Sequence, residues 1–181
     1  METIIGISRD FLFDKILSKN CVCAEIGVDE GINAQRILTI SNPKNLYLID
    51  LWDYTNIPEE KNKLTERSKI SCETIKEKFK NNKNVKIIIN ISVEASKQFD
   101  DKYFDWAYID ASHDYLSIKE DIESWWPKIK VGGYLTGHDY FNDVQVAVDE
   151  FIKNNNLKMY YKGNGQPQSG DGPSDWCILK K

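Results

Sequence analysis

The feature of this sequence that most constrains its fold is a regular alternation of short apolar runs with longer segments of helical period. Tyr115, Ile118, Ile122 and Trp125 step by three, four and three residues, which is typical of one face of a helix. The apolar runs have the length of strands and cover residues 22–26, 46–50, 85–89, 104–109, 134–136, 157–161 and 176–179. Gly132-Gly133 is predicted as the turn that leads into the fifth of these strands, residues 134–136. Strands that alternate with helices favour a mostly parallel, doubly wound α/β sheet with helices on both faces.

The last two apolar runs depart from this alternation. No segment long enough for a helix lies between Tyr161 and Trp176, so these two strands are expected to be antiparallel. The connection between them, residues 163–174, is rich in glycine and longer than most hairpin loops. We expect this loop to leave from the carboxyl edge of the sheet, to border a substrate pocket and to become ordered when substrate binds.

Length and composition are those of one globular domain, residues 1–181. Hydrophobic residues make up 41% of the chain, yet no apolar run approaches the ~18 residues of a membrane span, so no membrane contact is expected. The first residues lack the basic and apolar parts of a secretory signal, which favours a cytoplasmic protein. Residues 1–20 are predicted as a short N-terminal helical extension, because Leu12, Phe13, Ile16 and Leu17 have helical spacing.

The charge of the chain bears on nucleic-acid binding, and its cysteine spacing bears on zinc binding. The 24 basic and 28 acidic residues give a net charge of −4, and the lysines are spread along the chain and mixed with acids. Their densest stretch, residues 76–86, is interpreted as a solvated helix face and loop. A nucleic-acid-binding surface usually needs a basic stripe, so no nucleic-acid partner is expected. The four cysteines (Cys21, Cys23, Cys72 and Cys177) lack the spacing of a zinc site and are interpreted as free thiols, with a disulfide left open.

Acidic side chains lie at or just beyond the carboxyl ends of five predicted strands. Ligands of a doubly wound sheet bind at this edge, so side chains from all five positions are expected to converge there. Both histidines of the chain, His113 and His138, belong to the same segments. The segments are residues 25–31, 50–53, 90–94, 110–115 and 137–140.

The first of these segments is a glycine turn, Glu25-Ile-Gly27-Val-Asp-Glu-Gly31. Glycines at these positions allow a ligand to approach the backbone at the start of a helix. A dinucleotide-binding turn has glycine where this chain has Glu25, and a carboxylate there would repel a pyrophosphate. The turn therefore favours a ligand that has a positive centre and no phosphate, while Asp50 could accept hydrogen bonds from two ribose hydroxyls. Simple turn geometry is the alternative interpretation.

These segments resemble a known enzyme family. Glu25-Ile-Gly27-Val-Asp-Glu-Gly31 together with Tyr47-Leu-Ile-Asp50 is similar to the cofactor site of class I S-adenosylmethionine-dependent methyltransferases. Residues 105–115, with Asp121, the 125–127 and 132–133 segments and Gly137-His138-Asp139-Tyr140, resemble the small-molecule and sugar O-methyltransferase branch related to macrocin and catechol O-methyltransferases. The similarity runs from about Cys21 to Phe151. It implies a Rossmann-like sheet of seven strands that is parallel except for the last strand.

The resemblance also implies how S-adenosylmethionine would be bound. Glu25, Gly27 and Gly31 would line its methionine end, and Asp50 would hold the ribose hydroxyls. Leu51 or Trp52 would cover the adenine, Ser92 would lie near the adenine edge, Asp110 would lie beside the transferred methyl group, and His113 would brace the loop or the cofactor. Asp114 and Asp121 are interpreted as a helix-start acid and a surface acid.

Four residues are candidates for the catalytic chemistry. In metal-dependent relatives, acids at the positions of Asp110 and Asp139 bind Mg²⁺, so Mg²⁺ or Mn²⁺ is a candidate cofactor here. This chain has His138 where those relatives have a second acid after the fifth strand. His113 or His138 would then be the general base, because an imidazole titrates near neutral pH.

The sequence thus predicts an O-methyltransferase that acts on a small hydroxylated acceptor, preferably a sugar or glycan. The acceptor pocket would come from residues 53–66, from the 163–174 loop or from a partner subunit, so a homodimer is one expectation. Two alternatives are a nicotinamide-dependent oxidoreductase or epimerase and a non-catalytic cofactor-binding subunit. The oxidoreductase would have to bind a pyrophosphate, which Glu25 disfavours at the glycine turn.

Overall fold

The computed structural model describes residues 2–6, 8–52, 72–163 and 174–181. In this part of the chain, eight strands form one sheet in the order β1-β7-β8-β6-β5-β2-β3-β4. The strands are β1 (Ile4–Gly6), β2 (Val22–Ile26), β3 (Asn45–Asp50), β4 (Val85–Ile89), β5 (Phe104–Ile109), β6 (Ile129–Gly137), β7 (Met159–Gly163) and β8 (Trp176–Leu179).

Helices cover both faces of the sheet, as the alternating pattern predicts. The described helices are α1 (Arg9–Phe11), which continues into a π-helical turn (Leu12–Ile16), α2 (Ile32–Ser41), α3 (Cys72–Phe79), α4 (Ser92–Ser96), α5 (Tyr115–Trp125), which continues into a 3₁₀ turn (Trp126–Lys128), and α6 (Asn142–Asn154). One core packs the π-helical turn, α2 and α3 against the sheet. The other core packs α4, α5 and α6 against the opposite face.

The predicted fold class is confirmed. Every strand pair is parallel except the pairs that β8 makes with β6 and β7, so β8 is the antiparallel strand inserted near one edge. The prediction of free thiols also holds, since all four cysteines are buried without a disulfide.

The predicted strand number is wrong, because the described sheet has eight strands rather than seven. The additional strand β1 pairs in parallel with β7 at the sheet edge, with Ile5 opposite Lys162. It lies inside the segment that was predicted as a helical extension, of which only Arg9–Ile16 is helical. A strand of three residues is too short to show a periodicity, so pairing with β7 decides its conformation.

A second correction concerns Gly132 and Gly133, which were predicted as a turn before the fifth strand. Both lie inside β6, which begins at Ile129. Gly132 has a φ of +82°, and the pairing of β6 with β5 is irregular between Phe104 and Trp106. Glycine inside a strand often marks such an irregularity, where the strand bends without ending.

The topology places the ligand-binding edge between β2 and β5. β2 lies between β3 and β5, so the order of the strands reverses direction at this point of the sheet. Crevices in doubly wound sheets open at the carboxyl ends of strands beside such a reversal. Among the described helices, none is long and apolar enough to cross a membrane.

Candidate active site

The glycine turn follows β2 and comes very close to the end of β5. Gly27 has a φ of +83°, and a Cβ at this position would collide with the backbone carbonyl of Asp110. Gly31 has a φ of +68° and caps α2, and a Cβ there would lie 2.9 Å from the ring of Phe79. Both positions therefore require glycine, for the backbone conformation and for the close packing of the turn.

Asp50 ties this turn to the end of β3. Its Oδ2 accepts hydrogen bonds from the backbone N–H groups of Val28 (2.8 Å) and Asp29 (3.0 Å), and its Oδ1 accepts one from Trp52 (2.9 Å). The N–H groups that would hold a pyrophosphate in a dinucleotide-binding turn thus face a carboxylate. A carboxylate offers about four acceptor positions, so about one stays open for a ribose hydroxyl.

Glu25 lies beneath the turn and is buried, with 1% of its surface exposed. Its Oε1 accepts a hydrogen bond from the Asn33 amide at 3.1 Å, whereas its Oε2 has no partner in the described residues. Burial raises the pKa of Glu25 to about 8, although the Asn33 bond opposes the shift. A buried carboxyl oxygen without a partner is costly, and an ammonium group would satisfy it.

The residues expected around adenine have different surroundings. Leu51 is 43% exposed, whereas Trp52 is only 8% exposed, and its indole N–H donates to the carbonyl of Asp29. Of these two alternatives, Leu51 is the one that offers an open apolar surface. Ser92, at the start of α4, accepts a hydrogen bond from the indole of Trp125 at 2.9 Å and so connects α4 to α5.

Four predicted catalytic residues come together at the ends of β5 and β6. His113 Nε2 lies 3.0 Å from Asp139 Oδ2 and 3.5 Å from Asp110 Oδ1. On the other side of Asp139, His138 Nδ1 lies 3.0 Å from Oδ1. His138 Nε2 is 3.2 Å from the hydroxyl oxygen of Ser174. Asp139 also has a φ of +52°, a backbone strain that is typical of functional positions.

The two histidines differ in their electrostatic surroundings. Hydrogen bonds to Asp110 and Asp139 raise the pKa of His113 to about 10. Burial would raise the pKa of Asp139, but its bonds to His113 and His138 outweigh burial and hold it well below its usual range. His113 is therefore a cation at neutral pH in this arrangement. Of the two predicted bases, His138 is the better candidate by geometry, because Asp139 orients its ring through Nδ1 and its Nε2 faces the hydroxyl of Ser174.

Comparison with known proteins shows which family has this arrangement. The methyltransferase domain family matches residues 24–140, which include the glycine turn, Asp50, Asp110, both histidines and Asp139. The chain belongs to this methyltransferase family. No curated protein matches the sequence of this methyltransferase.

Solved structures show the same fold at low sequence identity. A proposed methyltransferase from Streptococcus mutans in complex with SAH has 17% identity and a TM-score of 0.62, and the alignment covers 95% of each chain. A proposed rRNA methylase from Clostridium thermocellum has 13% identity and a TM-score of 0.65, with 98% and 97% covered. The B. subtilis tRNA methyltransferase TrmK has 12% identity and a TM-score of 0.66, with 97% of this chain and 67% of TrmK covered.

Family and fold together make the chain a class I S-adenosylmethionine-dependent methyltransferase domain. They favour methyl transfer over the nicotinamide-dependent alternative, in agreement with the Asp50 carboxylate that occupies the N–H groups of the turn.

A divalent cation fits one side of the catalytic cluster of the methyltransferase. Asp110, His113 and Asp139 each offer one ligand atom, and these three atoms lie within 4.8 Å of one another. Two carboxylates with one imidazole suit Mn²⁺ better than Mg²⁺, which prefers oxygen ligands alone. Because His113 is protonated in this arrangement, a metal would have to displace its proton.

A cavity opens beside the same cluster. Its volume is about 570 Å³, within the range of small-molecule sites. It is lined by His113 and Asp139 together with residues at the start of α6, namely Phe141, Asn142, Asp143, Val144 and Val146. Sequence reasoning did not include these α6 residues, although they directly follow the Gly137-His138-Asp139-Tyr140 segment.

The sequence made a prediction for each of two acidic residues of α5 and its N-cap, and the structure confirms one and contradicts the other. Asp114 caps α5 by accepting a hydrogen bond from the Ser117 backbone, as predicted. Asp121 was predicted on the surface, which is wrong because only 4% of it is exposed. Burial raises the pKa of Asp121 to about 6, and its hydrogen bond to Ser92 opposes the shift.

Two predicted pocket segments lie outside the described residues: 53–66 and, apart from Gly163 and Ser174, the 163–174 loop. Their roles stay predictions. Sequence reasoning also missed Ser174, which contacts His138, and Arg9 and Asp175, which are ion-paired at 3.1 Å near the glycine turn. Ser174 and Asp175 directly precede a predicted strand, and this position could have identified them as candidates. No sequence pattern marks Arg9.

Proposed function

We infer that this methyltransferase transfers the methyl group of S-adenosylmethionine to a hydroxyl group of a small acceptor, a sugar or a glycan. The observation that carries the proposal is the pairing of Asp139 with His138 Nδ1 at the carboxyl edge of the sheet. The pair lies beside the glycine turn, since Asp110 contacts both Gly27 and the cluster. O-methylation needs a base at this place, and the pair supports that role.

The residues of the chain would contribute positioning and proton transfer. S-adenosylmethionine, when bound, supplies a methyl group on a positively charged sulfur. The cavity beside α6 would hold the acceptor next to Asp139, and the acceptor hydroxyl would have to replace the Ser174 hydroxyl at His138 Nε2. His138 Nε2 would then take the proton as the oxygen–methyl bond forms and the sulfur–methyl bond breaks. Asp139 stabilises the protonated His138. Alignment of the two reactants is worth up to ~7–11 kcal/mol of the barrier in favourable cases.

Asp110, Asp139 and His113 would hold the divalent cation, which would lower the pKa of the acceptor hydroxyl when it is bound. In the absence of the cation, protonated His113 keeps a positive charge between the two carboxylates. Either arrangement leaves His138 Nε2 as the proton acceptor.

A small acceptor is favoured over RNA by charge and by the size of the cavity. The net charge is −4, and the lining of the cavity beside α6 includes two acids, Asp139 and Asp143. A phosphate backbone would be repelled there, whereas sugar hydroxyls can donate hydrogen bonds to Asp139 and Asp143.

The test is release of S-adenosylhomocysteine, measured with a panel of sugars, glycans, catechols and RNA, with and without chelator. We expect turnover with a sugar or glycan, a loss after chelation, and recovery that is greater with Mn²⁺ than with Mg²⁺. His138→Asn and Asp139→Asn should lower kcat by ~10²–10⁴-fold, the usual contribution of general base catalysis. Asp101→Asn, at an exposed acid that pairs with Lys128, is the matched control and should keep full activity.

Three results would contradict parts of the proposal. Full activity after exhaustive chelation would exclude the cation, and wild-type activity in His138→Asn would exclude this base. Turnover confined to RNA would exclude the small acceptor.

A further inference from the structure

A serine hydroxyl lies at the nitrogen atom that the proposed reaction uses as its base. Ser174 Oγ is 3.2 Å from His138 Nε2 and 3.5 Å from Asp139 Oδ1, and His138 Nδ1 is 3.0 Å from the same carboxylate oxygen. A carboxylate only accepts hydrogen bonds, so Nδ1 carries the proton of the neutral ring and Nε2 presents its lone pair. The Ser174 hydroxyl is therefore the donor at Nε2 in this arrangement.

The fold holds Ser174 in this place without help from its side chain. The backbone carbonyl of Ser174 accepts a hydrogen bond from the N–H of Tyr140 at 2.7 Å. The next residue, Asp175, has a fully buried side chain, and the indole of Trp176 donates to the backbone carbonyl of His138 at 3.1 Å. These contacts join the start of β8 to the segment that follows β6. A brace between the two segments would therefore not need the serine hydroxyl, whose residue is only half-buried.

The hydroxyl can give up its contact with the base at low cost. Asp139 Oδ1 is a second acceptor close by, so the Ser174 hydroxyl need not lose its last hydrogen bond when another hydroxyl takes Nε2. The cavity beside α6 reaches Asp139, the residue that contacts both Ser174 and His138. An acceptor in this cavity is thus next to the contact that it would have to replace.

We propose that Ser174 is a positioning residue whose hydroxyl stands in for the acceptor hydroxyl at His138 Nε2 and competes with it. The inference rests on the proposed function, in which His138 is the base. An acceptor must bring a hydrogen-bond donor of its own to displace the serine, so Ser174 selects acceptors that present a hydroxyl at this point. An analogue that lacks this hydroxyl leaves the contact between Ser174 and His138 in place.

The contact itself can be tested without an acceptor. Nitrogen NMR spectra of protein that contains isotopically labelled histidine show the ring signals of two residues, His113 and His138. The His113→Asn variant identifies the signals of His138. In the wild-type protein we expect a protonated Nδ1 and an unprotonated Nε2, whose signal moves downfield by several ppm in Ser174→Ala and keeps its position in Ser174→Thr. A wild-type Nε2 that carries a proton, or an Nε2 signal that does not respond to Ser174→Ala, would overturn the proposal.

The competition is tested with the sugar that gives the highest turnover in the S-adenosylhomocysteine release assay, and with the analogue of this sugar that lacks the methylated hydroxyl. Ser174→Ala should lower KM for the sugar about two- to tenfold, the equivalent of one net hydrogen bond, and should leave kcat within about twofold. The inhibition constant of the analogue should not change, because the analogue does not displace the serine. Ser174→Thr keeps the hydroxyl and should restore the wild-type KM.

Ser96→Ala is the matched control, because the Ser96 hydroxyl donates to the carbonyl of Val93 within α4. It should change neither KM nor the signals of His138. An unchanged or higher KM in Ser174→Ala, or a fall in kcat, would overturn the competition.

The wild-type nitrogen signals decide whether Ser174 donates to His138 even if the Ser174 variants do not fold. A wild-type protein that methylates no sugar would contradict the proposed function. The protonation of Nε2 would still show whether the contact between Ser174 and His138 exists, so the two failures can be told apart.

Discussion

The carboxyl group of Glu25 illustrates how position changes the chemistry of a residue. Glu25 was predicted from the sequence to face the ligand as an anion, whereas burial raises its pKa to about 8 and keeps it protonated at neutral pH. The pattern of residues around the glycine turn could be predicted because it is local. The burial of Glu25 and the charge of Arg9 that acts on it depend on elements that are distant in sequence and carry no local signal.

Glu25 should make stability depend on pH. Below pH ~4.5 the carboxyl is protonated in both the folded and the unfolded chain. Between pH ~4.5 and pH ~8, Glu25 is ionised in the unfolded chain but still protonated in the folded chain, so the free energy of unfolding falls as pH rises. Above pH ~8 the carboxyl is ionised in both states, and the free energy of unfolding levels off. We therefore expect Glu25→Gln to melt higher than wild type at pH 8.5 and close to wild type at pH 4.5, measured by thermal denaturation.

The control is Glu123→Gln, at an exposed acid of α5. Its melting temperature should follow the wild-type curve at both pH values. A difference between Glu25→Gln and wild type that does not grow with pH would contradict the buried, protonated carboxyl.

Asp50 provides a second test at the residue scale. Asp50→Ala should weaken S-adenosylhomocysteine binding by about 1.5–3 kcal/mol, the range for hydrogen bonds to charged groups, measured by calorimetry. Asp105→Ala is a matched control, because Asp105 also accepts a backbone N–H bond, from Val22 at 2.7 Å, but at the opposite edge of the sheet. Equal effects of the two substitutions on affinity would show that Asp50 acts only through stability.

At the scale of elements, strands with a strong apolar pattern could be predicted to the residue. Three strands have the predicted bounds because each is a short, mostly apolar run that is largely buried in the sheet: Val22–Ile26, Phe104–Ile109 and Trp176–Leu179. β1 could not be predicted, since its three residues are held by pairing with β7. The glycines of β6 were misread because glycine signals a turn and a strand irregularity equally well.

The glycine turn can be tested against one of those β6 glycines. Gly27 and Gly132 have nearly the same φ, +83° and +82°, but a Cβ would collide with Asp110 at Gly27 and meet nothing within 4 Å at Gly132. Gly132→Ala should therefore cost ~1–2 kcal/mol of stability for the left-handed backbone alone. Gly27→Ala should cost more and should weaken S-adenosylhomocysteine binding at least tenfold, measured by denaturant unfolding and calorimetry. Similar stability losses with unchanged affinity would contradict the close approach of the turn to β5.

At the scale of the whole molecule, the catalytic cluster exists because the topology brings strand ends together. Asp110 follows β5, and His138 and Asp139 follow β6, so sequence reasoning could place all three at one edge. It could not distinguish His113 from His138, because both rings lie within 3.8 Å of Asp110 and Asp139 and differ only in which ring nitrogen makes these contacts. A cytoplasmic location and a homodimer stay predictions.

The net charge of the whole chain predicts which class of acceptor is not methylated. With a net charge of −4, the protein should bind polyanions weakly, so tRNA and rRNA fragments should gain no labelled methyl group at physiological salt. Incorporation of label into RNA, measured by scintillation counting of the purified RNA, would contradict a small acceptor. A sugar acceptor in the same assay serves as the positive control.

The central claim is that the carboxyl edge is built for S-adenosylmethionine rather than for a dinucleotide. Calorimetric titration of the wild-type protein with S-adenosylhomocysteine and, separately, with NAD tests it most directly. Since Asp50 occupies the N–H groups of the turn and Glu25 lies beneath it, we expect S-adenosylhomocysteine to bind at one site per chain and NAD to give no measurable heat. Tighter binding of NAD than of S-adenosylhomocysteine would contradict the claim.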